Sequence, residues 1–347
     1  MTFGQGRVQG RRSEEGEEAR FLRIGGRALH VRVSGQGPVV VLSGGLGCCW
    51  FDWDAVVPLL EPHRTVVRFD RPGHGLSELA PEPPTARGEA DRIAALLDGL
   101  IREKVLTGDR AGTGAGGVTG GEAEAEAEAE AGAGAGGEAP AARGAAGTGS
   151  EPAAGAVGPV TVVGHSIAAF HVEAFARLYP ERTAALVLLD GSTEPQARPA
   201  PARALRDLTA RVTGTVLAAA GLPYLLGPLA RRAVAAATTA AHRDPAPAES
   251  VRRCYRTGRM LRSVLAENTR YLDVAAELDV LRRTTPLRAP AVVLAAAARP
   301  DERWLGRQRE LAVLLGAEYR EVVPAGHLVM WDGPEAVAAA VLDAPSV

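Results

Sequence analysis

Val160-Thr161-Val162-Val163-Gly164-His165-Ser166-Ile167-Ala168 is the stretch from which the rest of this chain can be interpreted. Its first half is a continuous apolar, β-branched run, the pattern of a strand buried on both faces. Its second half opens a helix that runs from Ser166 to about Leu178. A turn this sharp between strand and helix is crowded, so it needs small residues two before and two after its central position. Gly164 and Ala168 supply them, although Ala fits such a place less freely than Gly. The turn presents the Ser166 hydroxyl at the carboxyl end of the strand, with a helix N-terminus behind it. Ser is also a favoured helix N-cap, and the five-residue pattern in isolation would mean no more than that. The strand–turn–helix setting points instead to a nucleophile.

Working outward, the same grammar repeats. Phe21–Ile24 and Ala28–Val33, joined by Gly25-Gly26, form a predicted hairpin. Val39–Leu42, Thr65–Phe69, Ala185–Asp190, Pro290–Leu294 and Tyr319–Val323 are further strands. Helical spacing falls between them, over Asp52–Leu60, Thr85–Arg102 and Arg303–Leu315, with a closing helix from Pro334. Strands alternating with helices predict an α/β protein with a mainly parallel, doubly wound sheet, opened by an antiparallel hairpin. Counting the strands gives an eight-stranded sheet.

Two segments break the pattern. From about Thr107 to Gly158 the chain is almost wholly Gly, Ala and Glu, and its repeated Glu-Ala places like charges at i and i+4. This reads as a disordered insertion at 107–158, which a core tolerates because loop-closure entropy grows only logarithmically with length. Between Glu194 and Pro286 only helical stretches appear, broken by Gly221, Pro223 and Asp244-Pro245-Ala246-Pro247. The expected organisation is a disordered tail at 1–19, a core in two parts at 20–192 and 287–347, and a helical subdomain at 193–286.

The 347 residues are 46% hydrophobic, enough to bury a real core, and the formal net charge is −2. That balance predicts a small-molecule substrate and neither nucleic acid nor a membrane as partner. The three cysteines, two of them adjacent at Cys48 and Cys49, suggest no disulfide framework and fit a reducing cytoplasm. The first residues carry arginines and glutamates without an apolar core, so no signal peptide is expected there. No metal-ligand spacing stands out, and no cofactor is called for.

A serine hydroxyl is a weak nucleophile at neutral pH and needs a positioned base. Of seven histidines, His327 follows the last predicted strand in Pro324-Ala325-Gly326-His327, at the same carboxyl edge as Ser166. His74 and His165 also sit at strand ends, where they are better suited to bracing loops. The base needs a carboxylate to hold its tautomer. Asp301, just past a strand, is the favoured candidate; Asp190 at the end of an earlier strand and Glu302 remain alternatives. For the developing oxyanion the expected donors are the backbone N–H groups of Ile167 and, from the glycine-rich Gly44-Gly45-Leu46-Gly47, of Leu46.

Four stretches together, in this order, resemble the α/β-hydrolase superfamily, and specifically a serine-nucleophile, lid-containing member. They are Leu42–Gly47, Phe69-Asp70-Arg71-Pro72-Gly73-His74-Gly75-Leu76-Ser77, Gly164–Ala168, and Gly326-His327-Leu328 with Pro334-Glu335 beyond. The resemblance implies the α/β-hydrolase fold, a nucleophile, acid and base at Ser166, Asp301 and His327, and a helical lid after the sixth strand, matching 193–286. Gly44 stands where many members carry His, and the Gly/Ala/Glu insertion has no counterpart in ordinary members.

The function expected from these residues is hydrolysis of an ester-like bond in a small, apolar substrate through an acyl-enzyme. The alternatives are acyl transfer or C–C or amide-bond cleavage by the same triad, or a non-catalytic ligand-binding member of the fold. Ser at the nucleophile position argues against dehalogenase or epoxide-hydrolase chemistry, which in similar folds uses Asp.

Overall fold

The computed structural model describes residues 18–107, 157–298 and 301–344. The tail and the Gly/Ala/Glu insertion lie outside the described residues except at their edges, where Glu18 and Ala19 already belong to the first strand.

β1 (Glu18–Ile24) and β2 (Arg27–Gly35) pair as an antiparallel hairpin. Its two-residue turn has φ of +58° at Gly25 and +76° at Gly26, backbone that side-chain-bearing residues rarely adopt and that matches the twist of the flanking strands. Then follow β3 (Val39–Ser43), the short α1 (Val57–Leu60), β4 (Thr65–Phe69), α2 (Ala86–Arg102), β5 (Val160–His165), α3 (Ala168–Leu178) and β6 (Thr183–Leu189). The helix read from 85 to 102 is α2, capped by Thr85, whose Oγ1 accepts from the Gly88 N–H at 2.9 Å. After four helices, α4 (Arg203–Ala219), α5 (Leu222–Thr238), α6 (Ala248–Tyr255) and α7 (Gly258–Thr284), the chain returns to the sheet. It closes with β7 (Ala291–Ala296), α8 (Glu302–Leu315), β8 (Glu318–Val322), the short α9 (Val329–Asp332) and α10 (Pro334–Asp343).

The eight strands are ordered β1-β2-β4-β3-β5-β6-β7-β8, and every pair from β4 onward is parallel. Alternation along each strand feeds two separate cores. Val39, Val41 and Val162 join the cluster under α2, α3 and α8, while Val40, Leu42 and Val163 join the one under α1 and α10. A strand apolar at every position is thus buried on both faces, which is why these runs read as continuous rather than alternating. Val274, Ala275 and Leu278 of α7 belong to the first cluster, so the second half of that helix is part of the core layer.

The strand order reverses at β3, with β4 on one side and β5 on the other. At such a switch point the connections leave in opposite directions and open a crevice at the carboxyl ends of the strands. The glycine-rich loop after β3 and the turn after β5 both end there.

Candidate active site

Ser166 sits between β5 and α3 with φ of +54°, a left-handed conformation that is costly for a residue with a side chain. Neighbouring backbone holds it: its N–H donates to the Leu189 carbonyl at 3.1 Å, and its own carbonyl accepts from Ser192 N at 3.0 Å. The small residues at the two crowding positions have a direct cause. A Cβ on Gly164 would lie 2.4 Å from Val172 Cγ2 and 2.7 Å from the Ala168 carbonyl oxygen.

His327 lies on the loop between β8 and α9. Its Nε2 is 3.0 Å from Ser166 Oγ, and its Nδ1 is 2.6 Å from Asp190 Oδ2. The other oxygen of Asp190 accepts from Trp304 Nε1 at 2.7 Å and from Ala296 N at 3.0 Å. Asp190 is buried, has a left-handed backbone (φ +43°) and is tied to β7 by its own N–H, which donates to Leu294 O at 2.7 Å. The carboxylate therefore occupies one orientation, with both oxygens engaged.

The acid favoured from sequence is displaced. Asp301 does not face His327: its Oδ1 accepts from Arg303 N at 3.0 Å and Trp304 N at 3.3 Å, and it is the N-cap of α8. A carboxylate there satisfies free N–H groups and meets the positive end of the helix dipole. Glu302, the third candidate, is exposed and lies 3.6 Å from Arg309. Asp190, the rival, is the carboxylate that meets the imidazole. Trp304 had no sequence signal as its partner; it lies near Asp190 only because α8 starts beside the end of β6.

Of the two backbone groups expected to face an oxyanion, Ile167 directly follows Ser166, and Leu46 follows Gly45, which lies against the serine. Among the described residues, neither Leu46 N–H nor Ile167 N–H donates a hydrogen bond within the protein. The glycine-rich loop runs against the serine, since a Cβ on Gly45 would lie 2.8 Å from Ser166 Cβ. Arg71, from the Asp70–Ser77 loop, donates to the Gly45 carbonyl at 2.5 Å and pairs with buried Glu267 of α7. The Gly45 carbonyl, which also accepts from Cys48 N at 3.0 Å, is thereby held in place.

His165 braces the site without taking part in proton exchange. Its Nε2–H donates to the His327 carbonyl at 2.8 Å, and its Nδ1 lies 3.9 Å from Cys48 Sγ. Burial, reinforced by the neighbouring His327, pushes its pKa down to about 3, so the ring stays neutral. Burial raises the Cys48 thiol to about 12, which keeps it protonated and non-nucleophilic.

One cavity borders the triad, and a second lies beside the loops that carry it. The first, of about 660 Å³, runs beside Asp190, Trp304, Gly326 and His327. The other, of about 440 Å³, is walled by Leu46, Leu217, Leu226, Val264 and Leu328 and is overwhelmingly apolar. Arg231 of α5 closes its floor. It is buried, pairs with Asp52 at 2.5 Å and Asp244 at 2.8 Å, and contacts the Tyr255 hydroxyl, which itself donates to the Gly47 carbonyl. The helices between β6 and β7 are thereby tied to the loop beside the serine.

Comparison with known proteins agrees with this fold. A model of the alpha/beta hydrolase family matches residues 39–340. The chain belongs to that family. No curated protein matches it in sequence. Among solved structures, this alpha/beta hydrolase is similar in fold to the enol-lactonase from Burkholderia xenovorans LB400 (21% identity, 93% of this chain and 98% of that one, TM-score 0.56). It is likewise similar to a putative epoxide hydrolase from Pseudomonas aeruginosa (20%, 95% and 95%, 0.61) and to a thermophilic esterase from Thermogutta terrifontis (19%, 94% and 97%, 0.59). At such identities the likeness is one of fold; the hydrolase is an enzyme of this family, and its bond and substrate must be argued from its own residues.

Proposed function

We propose that this alpha/beta hydrolase cleaves an ester-like bond of a small, apolar substrate through an acyl-enzyme on Ser166. The observation that carries this is the unbroken chain of contacts from Ser166 Oγ to His327 Nε2 at 3.0 Å and from His327 Nδ1 to Asp190 at 2.6 Å. In the proposed reaction the Ser166 hydroxyl donates its proton to His327 Nε2 as the oxygen attacks the carbonyl carbon. The carbonyl π electrons move to its oxygen, where Leu46 and Ile167 N–H groups donate. The tetrahedral intermediate collapses, and the imidazolium passes its proton to the departing alcohol. Water, deprotonated by the same nitrogen, then attacks the acyl-serine; collapse of the second intermediate returns the proton to Ser166 and frees the acid. Asp190 holds the tautomer that leaves Nε2 free to accept and stabilises the imidazolium.

Serine attack on a carbonyl gives an acyl ester that water hydrolyses, whereas serine attack on an epoxide would leave a stable ether. The apolar 440 Å³ cavity beside Leu46 suits a medium-sized apolar acyl or alcohol group. The enol-lactonase and esterase among the fold neighbours are named for ester-bond substrates, which agrees with this reading.

A fluorophosphonate probe is expected to label the native enzyme and not Ser166→Ala, with p-nitrophenyl esters of graded chain length hydrolysed by the former alone. Labelling that survives in Ser166→Ala would remove the serine from the mechanism. Ester products appearing with added alcohols, in preference to free acid, would reassign the reaction as acyl transfer.

A further inference from the structure

Two of the helices between β6 and β7, α4 and α5, carry large apolar side chains on their exposed faces. In α4, Gly214 packs against Arg262 and Leu265 of α7. At 100° per residue the positions opposite it are Leu205, Leu208, Val212 and Val216. In α5 the buried Arg231 and Ala235 mark the inner face, and Leu225 and Leu229 lie opposite. These six side chains are 53–66% exposed. A surface helix of a soluble protein normally reverses this arrangement.

Charge specifies the covering phase. Residues 193–286 hold 15 Arg, no Lys and eight Asp or Glu, a surplus of seven positive charges in a chain whose total is −2. The near-neutral total therefore conceals a basic segment. Arg211 on α4 and Arg232 on α5 are exposed beside the apolar stripes, and Arg256 is exposed and stacked 4.7 Å from the Tyr224 ring; Arg203 and Arg262 are exposed on the Gly214 side. The sole acid on these two helices is Asp207, already bonded to Arg270 at 2.7 Å. A second copy of the chain would meet this face with arginine against arginine in a two-fold contact.

We propose that the outer face of α4 and α5 docks on an anionic phospholipid surface, leucines and valines in the acyl boundary and arginines at the headgroups. The two helices are bent by 105° at their junction, and among the described residues no single helix is long and apolar enough to cross a bilayer. They lie on the membrane rather than span it. Leu226 and Val234 both wall the apolar cavity and reach the surface at 49% and 59% exposure, so docking puts the cavity mouth at the lipid. If Ser166 acts as proposed above, esters dissolved in the bilayer are the substrate class this arrangement supplies; the docking itself does not depend on that chemistry.

Co-sedimentation of the full chain with phosphatidylcholine vesicles, with and without about one-third phosphatidylglycerol, tests the proposal. Binding is expected to be at least about tenfold stronger to the anionic vesicles and to fall about tenfold as NaCl rises from about 0.1 to about 0.5 M. Leu225→Glu with Leu229→Glu should lower it at least about tenfold, leaving hydrolysis of a water-soluble ester and the melting temperature unchanged. Arg232→Glu with Arg256→Glu provides an independent loss through charge alone. Ser166→Ala should bind vesicles like the native protein, so docking and chemistry fail separately. Protein remaining in the supernatant at low salt, or salt-insensitive binding equal on both vesicles, would overturn the proposal. So would a dimer in sedimentation velocity that the double leucine variant dissolves.

Discussion

Asp190 Oδ2 lies 2.6 Å from His327 Nδ1, across 137 residues of sequence, whereas Asp301 turns its carboxylate to the first N–H groups of α8. The two aspartates thus have separable roles. Asp190→Asn should reduce kcat for p-nitrophenyl acetate by roughly 10³- to 10⁴-fold, because an amide no longer enforces the productive tautomer. Asp301→Asn should leave kcat within about twofold, since Asn also caps helices, and Asp301→Ala should lower stability by about 1 kcal/mol. The reverse ranking of the two kcat losses would return the acid to Asp301.

Trp304 acts through Asp190. Its indole N–H is one of two donors to Asp190 Oδ1. Trp304→Phe keeps most of the packing and deletes the donor, at about 1.5–3 kcal/mol for a hydrogen bond to a charged group. Steady-state kinetics should show kcat reduced by roughly tenfold or more with little change in KM, and the acid limb of the kcat profile displaced. A change confined to KM, or to the melting temperature, would show that the indole only fills space.

Three buried histidines make the fold acid-sensitive. Burial pushes His165 and His171 down to about 3, and His74 well below its ordinary value of 6.5. Because the folded values are depressed, the stabilisation is complete above about pH 6.5 and is lost as pH falls from there toward 3. Over that window the unfolded chain takes up protons that the folded chain refuses. His165 and His171 each cost about 2 kcal/mol of stability between pH 7 and pH 5, and His74 acts in the same direction. Urea unfolding should therefore weaken steeply over this range. His171, whose two ring nitrogens have no hydrogen-bond partner, offers the cleanest control. In His171→Leu the loss between pH 7 and pH 5 should shrink by about 2 kcal/mol; a pH dependence identical to the native protein's would exclude the residue as a source.

Ser166 and His327 are legible in the amino-acid sequence because their signals are local. A β-branched run, two small residues and a helix start describe the turn at Ser166, and a loop after the last strand describes His327. The acid is not legible in the same way. Both β6 and β7 end in loops bearing aspartates at the same sheet edge, so strand order admits either. What separates them is φ of +43° at Asp190, which aims that side chain toward His327, and the start of α8, which claims Asp301. The total charge carries less information than its distribution, because it averages a basic helical segment against an acidic remainder.

The sequence by itself determined the alternation of strands and helices, the sharp turn under Ser166 and the glycine loop beside it, since each follows from backbone preference and periodicity within a few residues. The tertiary structure decided which carboxylate completes the site and which faces of α4 and α5 look outward. Those outcomes depend on hydrogen bonds near 3 Å and helix packing between segments more than a hundred residues apart in some cases, and they are fixed only when sheet, loops and helices pack together.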